Sequence, residues 1–232
     1  WATCSASPLA YARGWPAPME LDLDGIKRQM DCLASAARRA RKAGFRVIEL
    51  HAAHGYLIHQ FYSPLSNHRA DRYGGDFDGR VRILLESVAA IRSEWDTSLP
   101  LFLRLSVTDW VEGGWQLDDS VRLAAMLNHE GDVDLIDCSS GGNDPRQSIP
   151  IHPGYQVPLA AVVKARTGMR TGAVGLLHSP DLAESIIANG QADIVVLGRA
   201  LMSDPMWPLR AAAELKARDV AWPVQYERSN IF

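Results

Sequence analysis

The chain has 232 residues, 47% of them hydrophobic, a formal net charge of −3 and three cysteines. That is enough apolar material for one substantial core. The small net charge gives no general attraction to nucleic acid or to an anionic membrane surface. No apolar run approaches the ~20 residues that a membrane helix needs, and the N-terminal WATCSASPLA lacks the basic-then-apolar layout of a signal peptide. Cys4, Cys32 and Cys138 lie far apart and form no C-x-x-C pair, so a reduced, cytoplasmic setting is expected, with Cys138 in the core.

Residues 1–21 read as an irregular lead-in punctuated by Pro8, Pro16 and Pro18. They hold no convincing strand, as though the chain begins partway through a fold. Asp22 or Asp24 can cap a helix running to about Ala43. Ile26, Met30, Leu33, Ala37 and Ala40 recur along it at helical spacing, and Gly44 ends it. The basic run at 38–42 falls in its last turns, where it suits the helix dipole and reads as a solvated face. Residues 45–50, FRVIEL, form a short apolar run typical of a buried strand. The strand leads directly into His51-Ala52-Ala53-His54-Gly55-Tyr56.

A long polar loop is predicted for 61–79 and a helix for 80–95. A strand at 101–107, a helix at 117–129 and a strand at 133–139 follow. A loop with Pro150, Pro153 and Tyr155 leads to a short helix at 159–166. The next strand spans 169–174 and stops at Gly175. A helix starts at Ser179-Pro180-Asp181, with proline in its first turn, and runs to about Ala188. The last strand is 193–197, closed by Gly198-Arg199. The tail is predicted helical from Pro205 to about Arg218 and irregular over 219–232.

Strict alternation of strand and helix predicts an α/β fold with a parallel sheet. Strands that are apolar runs, without alternation, predict cover on both faces. Five strands are counted, whereas a (β/α)8 TIM barrel has eight in about 250 residues. A doubly wound sheet of five is the alternative. The chain end favours the barrel, because its last two strands both finish in glycine, and a phosphate site after the final two strands is a common barrel arrangement.

Two imidazoles and a phenol therefore sit at a strand's C-terminal end, the edge at which such folds bind ligands, with Ala52 and Ala53 leaving room beside them. Three readings apply. The histidines bond to backbone in a tight turn; or His-x-x-His chelates a metal, although the segment is not helical and no third ligand is near in sequence; or the pair aims two donors at one oxygen, with Tyr56 placed to give a proton. Two His, a Gly and a Tyr within six positions favour the third. Arg104 lies inside an apolar strand and must be paired, with Glu49 or Asp137, or must face a ligand. Gly175 and Gly198 can present backbone N–H groups to a phosphate, and Arg199 adds a fork of donors.

The segment HAAHGYLIHQFYSPLSNHRADRYGG at 51–75, with Arg80-x-Arg82 and Leu85-Glu86, resembles the Old Yellow Enzyme family of flavin-dependent ene-reductases. Its His-x-x-His form is similar to the bacterial xenobiotic-reductase branch. The resemblance implies a single FMN-binding barrel domain over 1–232 that carries strands four to eight, the C-terminal two thirds of a family member. It implies that His51 and His54 hold a substrate carbonyl and that Tyr56 lies near the proton path. It places Arg104 beside the flavin pyrimidine edge and Gly175, Gly198 and Arg199 at the FMN phosphate.

It further implies NAD(P)H, with NADPH slightly favoured, as reductant and small activated alkenes such as enones or maleimides, or nitro compounds, as oxidants. The 223–228 segment resembles one in which an arginine reaches a neighbouring subunit, so Arg228 is expected in a partner's substrate site and the protein as a homo-oligomer, a dimer or tetramer. Ser229-Asn230-Ile231-Phe232 departs from the branch's usual ending. The alternatives are a catalytically incomplete fragment and a phosphate-binding barrel isomerase or aldolase. The latter would want a lysine or glutamate at a strand end, whereas Lys164 falls on a helix.

Overall fold

A computed structural model describes residues 2–217 and 220–229. Its centre is a five-stranded parallel sheet, β3 (Ile48–Ala52), β4 (Leu101–Ser106), β5 (Leu135–Ser139), β6 (Thr171–Val174) and β7 (Ile194–Val196), paired in chain order. A two-stranded parallel pair, β1 (Cys4–Ser5) and β2 (Met19–Glu20), lies in the lead-in, where no strand is expected. The helices are α1 (Leu23–Lys42), α2 (Leu57–Tyr62), α3 (Phe77–Arg92), α4 (Leu117–Glu130), α5 (Val157–Thr167), α6 (Pro180–Ala188), α7 (Arg199–Ser203) and α8 (Trp207–Glu214), with a 3₁₀ turn at Val224–Ser229.

Alternate strand residues choose the two faces. Leu50, Ala52, Leu101, Leu103, Leu105, Ile136, Cys138 and Ala173 join helix residues such as Val81, Leu84, Leu123 and Val163 in the main core. In-register pairing puts His51, Arg104, Asp137 and Gly172 side by side on the opposite face. There Glu49 and His51 are exposed and Arg104 is half-buried. Cover on both faces, expected from the apolar strands, holds at β5, buried at every position, whereas the second face is exposed at β3 and half-buried at β4.

Other boundaries shift for local reasons. β3 starts at Ile48, because Phe45, 62% exposed, and Val47 belong to the turn after α1. α3 starts at Phe77, three residues before the expected Arg80, because the Asp76 carboxylate accepts from Gly79 N at 2.9 Å. Helix α2 was not expected. It is too short for a periodic signal, yet it buries Ile58, His59, Phe61 and Tyr62. The expected tail helix appears as α8, which ends at Glu214, short of the expected limit at Arg218, itself outside the described residues; α7, which precedes Pro205, was not expected.

Behind the sheet edge, α2 is fixed by a buried polar pair. His59 Nδ1 accepts from Gly55 N at 2.9 Å, so Nε2–H donates to Asp109 Oδ1 at 2.7 Å, both side chains fully buried. Asp109 Oδ2 also accepts from Ser63 Oγ at 2.6 Å and from Trp115 N at 2.8 Å. Three donors thus converge on one carboxylate. Asp109→Ala would strand all three, at roughly 1–3 kcal/mol each. The expected outcome is a loss of at least about 3 kcal/mol in urea unfolding, read by tryptophan fluorescence.

Candidate active site

The turn that carries the two histidines is held from three sides. Tyr62 Oη lies 2.9 Å from Ala52 O and 3.2 Å from Ser106 O, and accepts from Ser106 N at 3.1 Å, tying α2 to the ends of β3 and β4. Ser106 Oγ accepts from His54 N at 2.9 Å and donates to Gly141 O at 2.8 Å. One buried hydroxyl therefore joins the loops after β3, β4 and β5. The loops also touch directly: a Cβ on Gly142 would stand 2.5 Å from His54 Cα, and one on Gly55 would collide with Gly142 O. His54 itself sits at φ 58, a left-handed conformation uncommon for a side-chain-bearing residue, kept there by these contacts.

The ring centroids of His51 and His54 are 5.1 Å apart, and those of His51 and Tyr56 5.4 Å. Burial, then the Arg104 charge, holds both imidazoles below their ordinary pKa, His54 down at about 4. Both are neutral at pH 7, so each ring has one N–H to donate. His54 Nε2 lies 2.6 Å from Ser139 Oγ. Ala52 and Ala53, expected beside the ligand, are fully buried, and Ala52 belongs to the main core. Neither has surface to offer a substrate.

Arg104 follows from its register. It stands between His51 on β3 and Asp137 on β5, with Nε 3.2 Å from Asp137 Oδ2. Of the two anticipated partners, Asp137 is the one it pairs with. The contact is one of charge rather than a hydrogen bond, since Arg104 Nε and both Asp137 oxygens lack hydrogen-bond partners among the described residues. Burial raises the Asp137 carboxyl to about 7, against the lowering effect of Arg104, and Glu49 adds to the rise.

A cavity of about 360 Å³ lies at the C-terminal ends of the strands. His54, Arg104, Ser139, Gly175, Gly198 and Arg199 all line it. Gly175 has φ +128, and a Cβ there would lie 3.0 Å from the Tyr155 ring; only glycine fits that conformation comfortably. A second cavity, of about 630 Å³, lies between the lead-in and the histidine turn, lined by Tyr11, Trp15, His54 and Tyr56. His54 lines both. His51 and Tyr56 line a third space between α1 and β3, and Tyr56 is 63% exposed. Arg228 is exposed on the 3₁₀ turn and lines none of these three cavities.

Sequence reasoning missed Ser106, Ser139, Gly142, Tyr155 and Gln156. Ser139 and Gly142 flank a strand end, a weak signal, whereas Gln156 sits in an irregular loop with none. Among the described residues no group of three or more His, Cys, Asp or Glu is arranged to hold a metal ion, and no helix is long and apolar enough to cross a membrane.

A family model described as "NADH:flavin oxidoreductase / NADH oxidase family" matches residues 8–218. The chain belongs to this family. It is 46% identical over 222 residues to an NADPH dehydrogenase of Geobacillus thermodenitrificans (strain NG80-2), and 43% identical to an NADPH dehydrogenase of Bacillus subtilis (strain 168). Each match covers 96% of this chain and 64% of the relative, so the chain spans about two thirds of their length. A structure of 2-naphthoyl-CoA reductase with 2-naphthoyl-CoA superposes with TM-score 0.85 at 28% identity, covering 92% of this chain and 33% of that one. Morphinone reductase shares the fold, with TM-score 0.74 at 23% identity, over 94% of this chain and 61% of its own. The five strands are thus part of a (β/α)8 barrel, as expected from the strand ends and the resemblance.

The two shifted groups act on stability with opposite signs. His54 has a folded pKa of about 4, below its ordinary 6.5, so the unfolded chain takes up this proton first and stability falls as pH drops from about 6.5 toward 4. Asp137 has a folded pKa of about 7, above 3.8, so its contribution is present below about pH 4 and is lost as pH rises through 7. Urea melts at several pH values should show His54→Gln flattening the acid limb and Asp137→Asn raising stability at pH 8 more than at pH 5.

Proposed function

We propose that this chain carries the substrate-facing and phosphate-facing parts of an FMN-dependent, NAD(P)H-oxidising ene-reductase acting on activated alkenes such as α,β-unsaturated carbonyls. The observation that carries the reading is the single cavity that His54, Arg104, Gly175 and Gly198–Arg199 line at the strand ends. Its features suit FMN. Gly175 keeps the wall free where a Cβ would crowd Tyr155, the half-buried Arg104 adds a positive charge to the lining, and Gly198–Arg199 offer backbone and guanidinium donors for a phosphate. When bound, FMN supplies hydride transfer, recharged by NAD(P)H.

The chain's own residues would do the rest. Neutral His51 and His54 donate to the carbonyl oxygen of the alkene, where negative charge develops. Burial and then the Arg104 charge hold both rings neutral, and Arg104 would place a fixed positive charge beside a bound flavin. Tyr56, close to His51, delivers the proton to the α carbon. The same reading extends to a cytoplasmic homo-oligomer, in which exposed Arg228 serves a neighbouring subunit. It disfavours a Schiff-base aldolase, because Lys164 lies on α5, paired with Asp193 at 2.9 Å.

The test is the visible spectrum of the 232-residue chain after FMN addition and desalting. A retained flavin band, bleached by NADPH and restored by an enone, is expected, unchanged by a metal chelator. A colourless chain, or a band that NADPH does not bleach, would contradict the reading. In a flavin-retaining chain, His54→Ala is expected to lower enone turnover by about 10²–10³-fold, the usual effect of deleting one donor to a developing oxyanion.

A further inference from the structure

We propose that Ser139 is a positioning residue for His54: its hydroxyl donates to Nε2 and thereby fixes the imidazole with its one proton on Nδ1. The functional meaning rests on the ene-reductase reading above, but the assignment rests on the hydrogen-bond inventory. Ser139 Oγ has one proton and two acceptors within reach. His54 Nε2 is at 2.6 Å, a separation that suits an O–H donor better than an N–H donor, whose usual distance is about 2.9 Å. The competing acceptor, Gln156 Oε1, is at 3.4 Å and already accepts from Ser140 Oγ at 2.6 Å. Gln156 cannot turn to change this. Its Nε2 donates to Val174 O at 3.0 Å, which fixes the oxygen toward the serines.

Ser139 and Gln156 are both almost fully buried, so water offers the hydroxyl little alternative. The ring is also held at its base, because His54 N donates to Ser106 Oγ and the left-handed backbone packs against Gly142. His54 is neutral near pH 7, so exactly one of its nitrogens is a donor there. With Nε2 engaged as acceptor, that donor is Nδ1–H. The opposite tautomer would offer a lone pair at Nδ1 and repel a carbonyl oxygen arriving on that side. Ser139 therefore acts on the substrate oxygen through His54, without touching it.

The tautomer can be measured without flavin or substrate. Long-range proton–nitrogen correlation spectra of ¹⁵N-labelled chain at pH 7 distinguish protonated from unprotonated ring nitrogens, and the signal lost in His54→Gln assigns the residue. The expected wild-type pattern is a protonated Nδ1 and an unprotonated Nε2. Ser139→Ala is expected to lose that single pattern and give a mixture of tautomers. A proton on Nε2 in the wild-type chain overturns the proposal, and so does a Ser139→Ala spectrum identical to wild type. If Ser139→Ala does not fold, the wild-type pattern alone decides. A flavin-binding, active chain with the wrong tautomer would sink this inference and leave the ene-reductase reading standing, whereas a correct tautomer in a colourless chain would do the reverse.

Discussion

The candidate site depends on one buried hydroxyl and the two glycines packed beside it. Ser106 Oγ accepts from His54 N and donates to Gly141 O, while Gly55 and Gly142 allow two loops to approach where a methyl group on either would collide. A left-handed histidine is costly in isolation. Here the cost is offset by contacts that a relaxed turn could not make. The consequence is positional: the ring of His54 is delivered to the wall between two cavities. Residues 85 apart in sequence, His54 and Ser139, come within hydrogen-bond distance.

The electrostatics follow from the same register. Parallel pairing lines up His51, Arg104 and Asp137 across three strands, so the fixed positive charge lies next to both imidazoles on one side and a buried carboxyl on the other. Burial, reinforced by the Arg104 charge, keeps the histidines neutral, which leaves each ring one N–H to donate. Burial leaves Asp137 titrating near neutrality despite its cationic neighbour. A fixed cation, a neutral imidazole and a titratable acid on one face of the sheet, with a second imidazole in the turn beyond it, form a polar surface that is costly to bury without a ligand or further partners.

Much of this was legible in the sequence, and the gaps have physical causes. The five strands show as short apolar runs because helices pack on one face and the neighbouring positions are mostly half-buried. What covers the second face leaves no such mark, since Glu49 and Arg104 fit an exposed surface and a ligand pocket equally well. The cavity end was readable because its residues are contiguous, as in the histidine turn, or stand at strand ends, as Gly175 and Gly198–Arg199 do. Helix α2 was hidden inside that turn's motif by its brevity. Ser139 and Gln156 were hidden because their partnership is made by packing between separate loops, which no local period encodes. Ala52 misled for a simpler reason: in a strand, a small residue beside a functional one points to the opposite face.

The central claim is that these strand ends build one cofactor cavity with a distinct phosphate end. The most direct test is a flavin-fluorescence titration of the chain with FMN and with riboflavin, repeated on Arg199→Ala. FMN is expected to bind about tenfold or more tightly than riboflavin, as charge-assisted hydrogen bonds to a phosphate imply, and Arg199→Ala to remove most of the difference. Equal affinity for the two flavins, or a preference that survives the loss of Arg199, would contradict it.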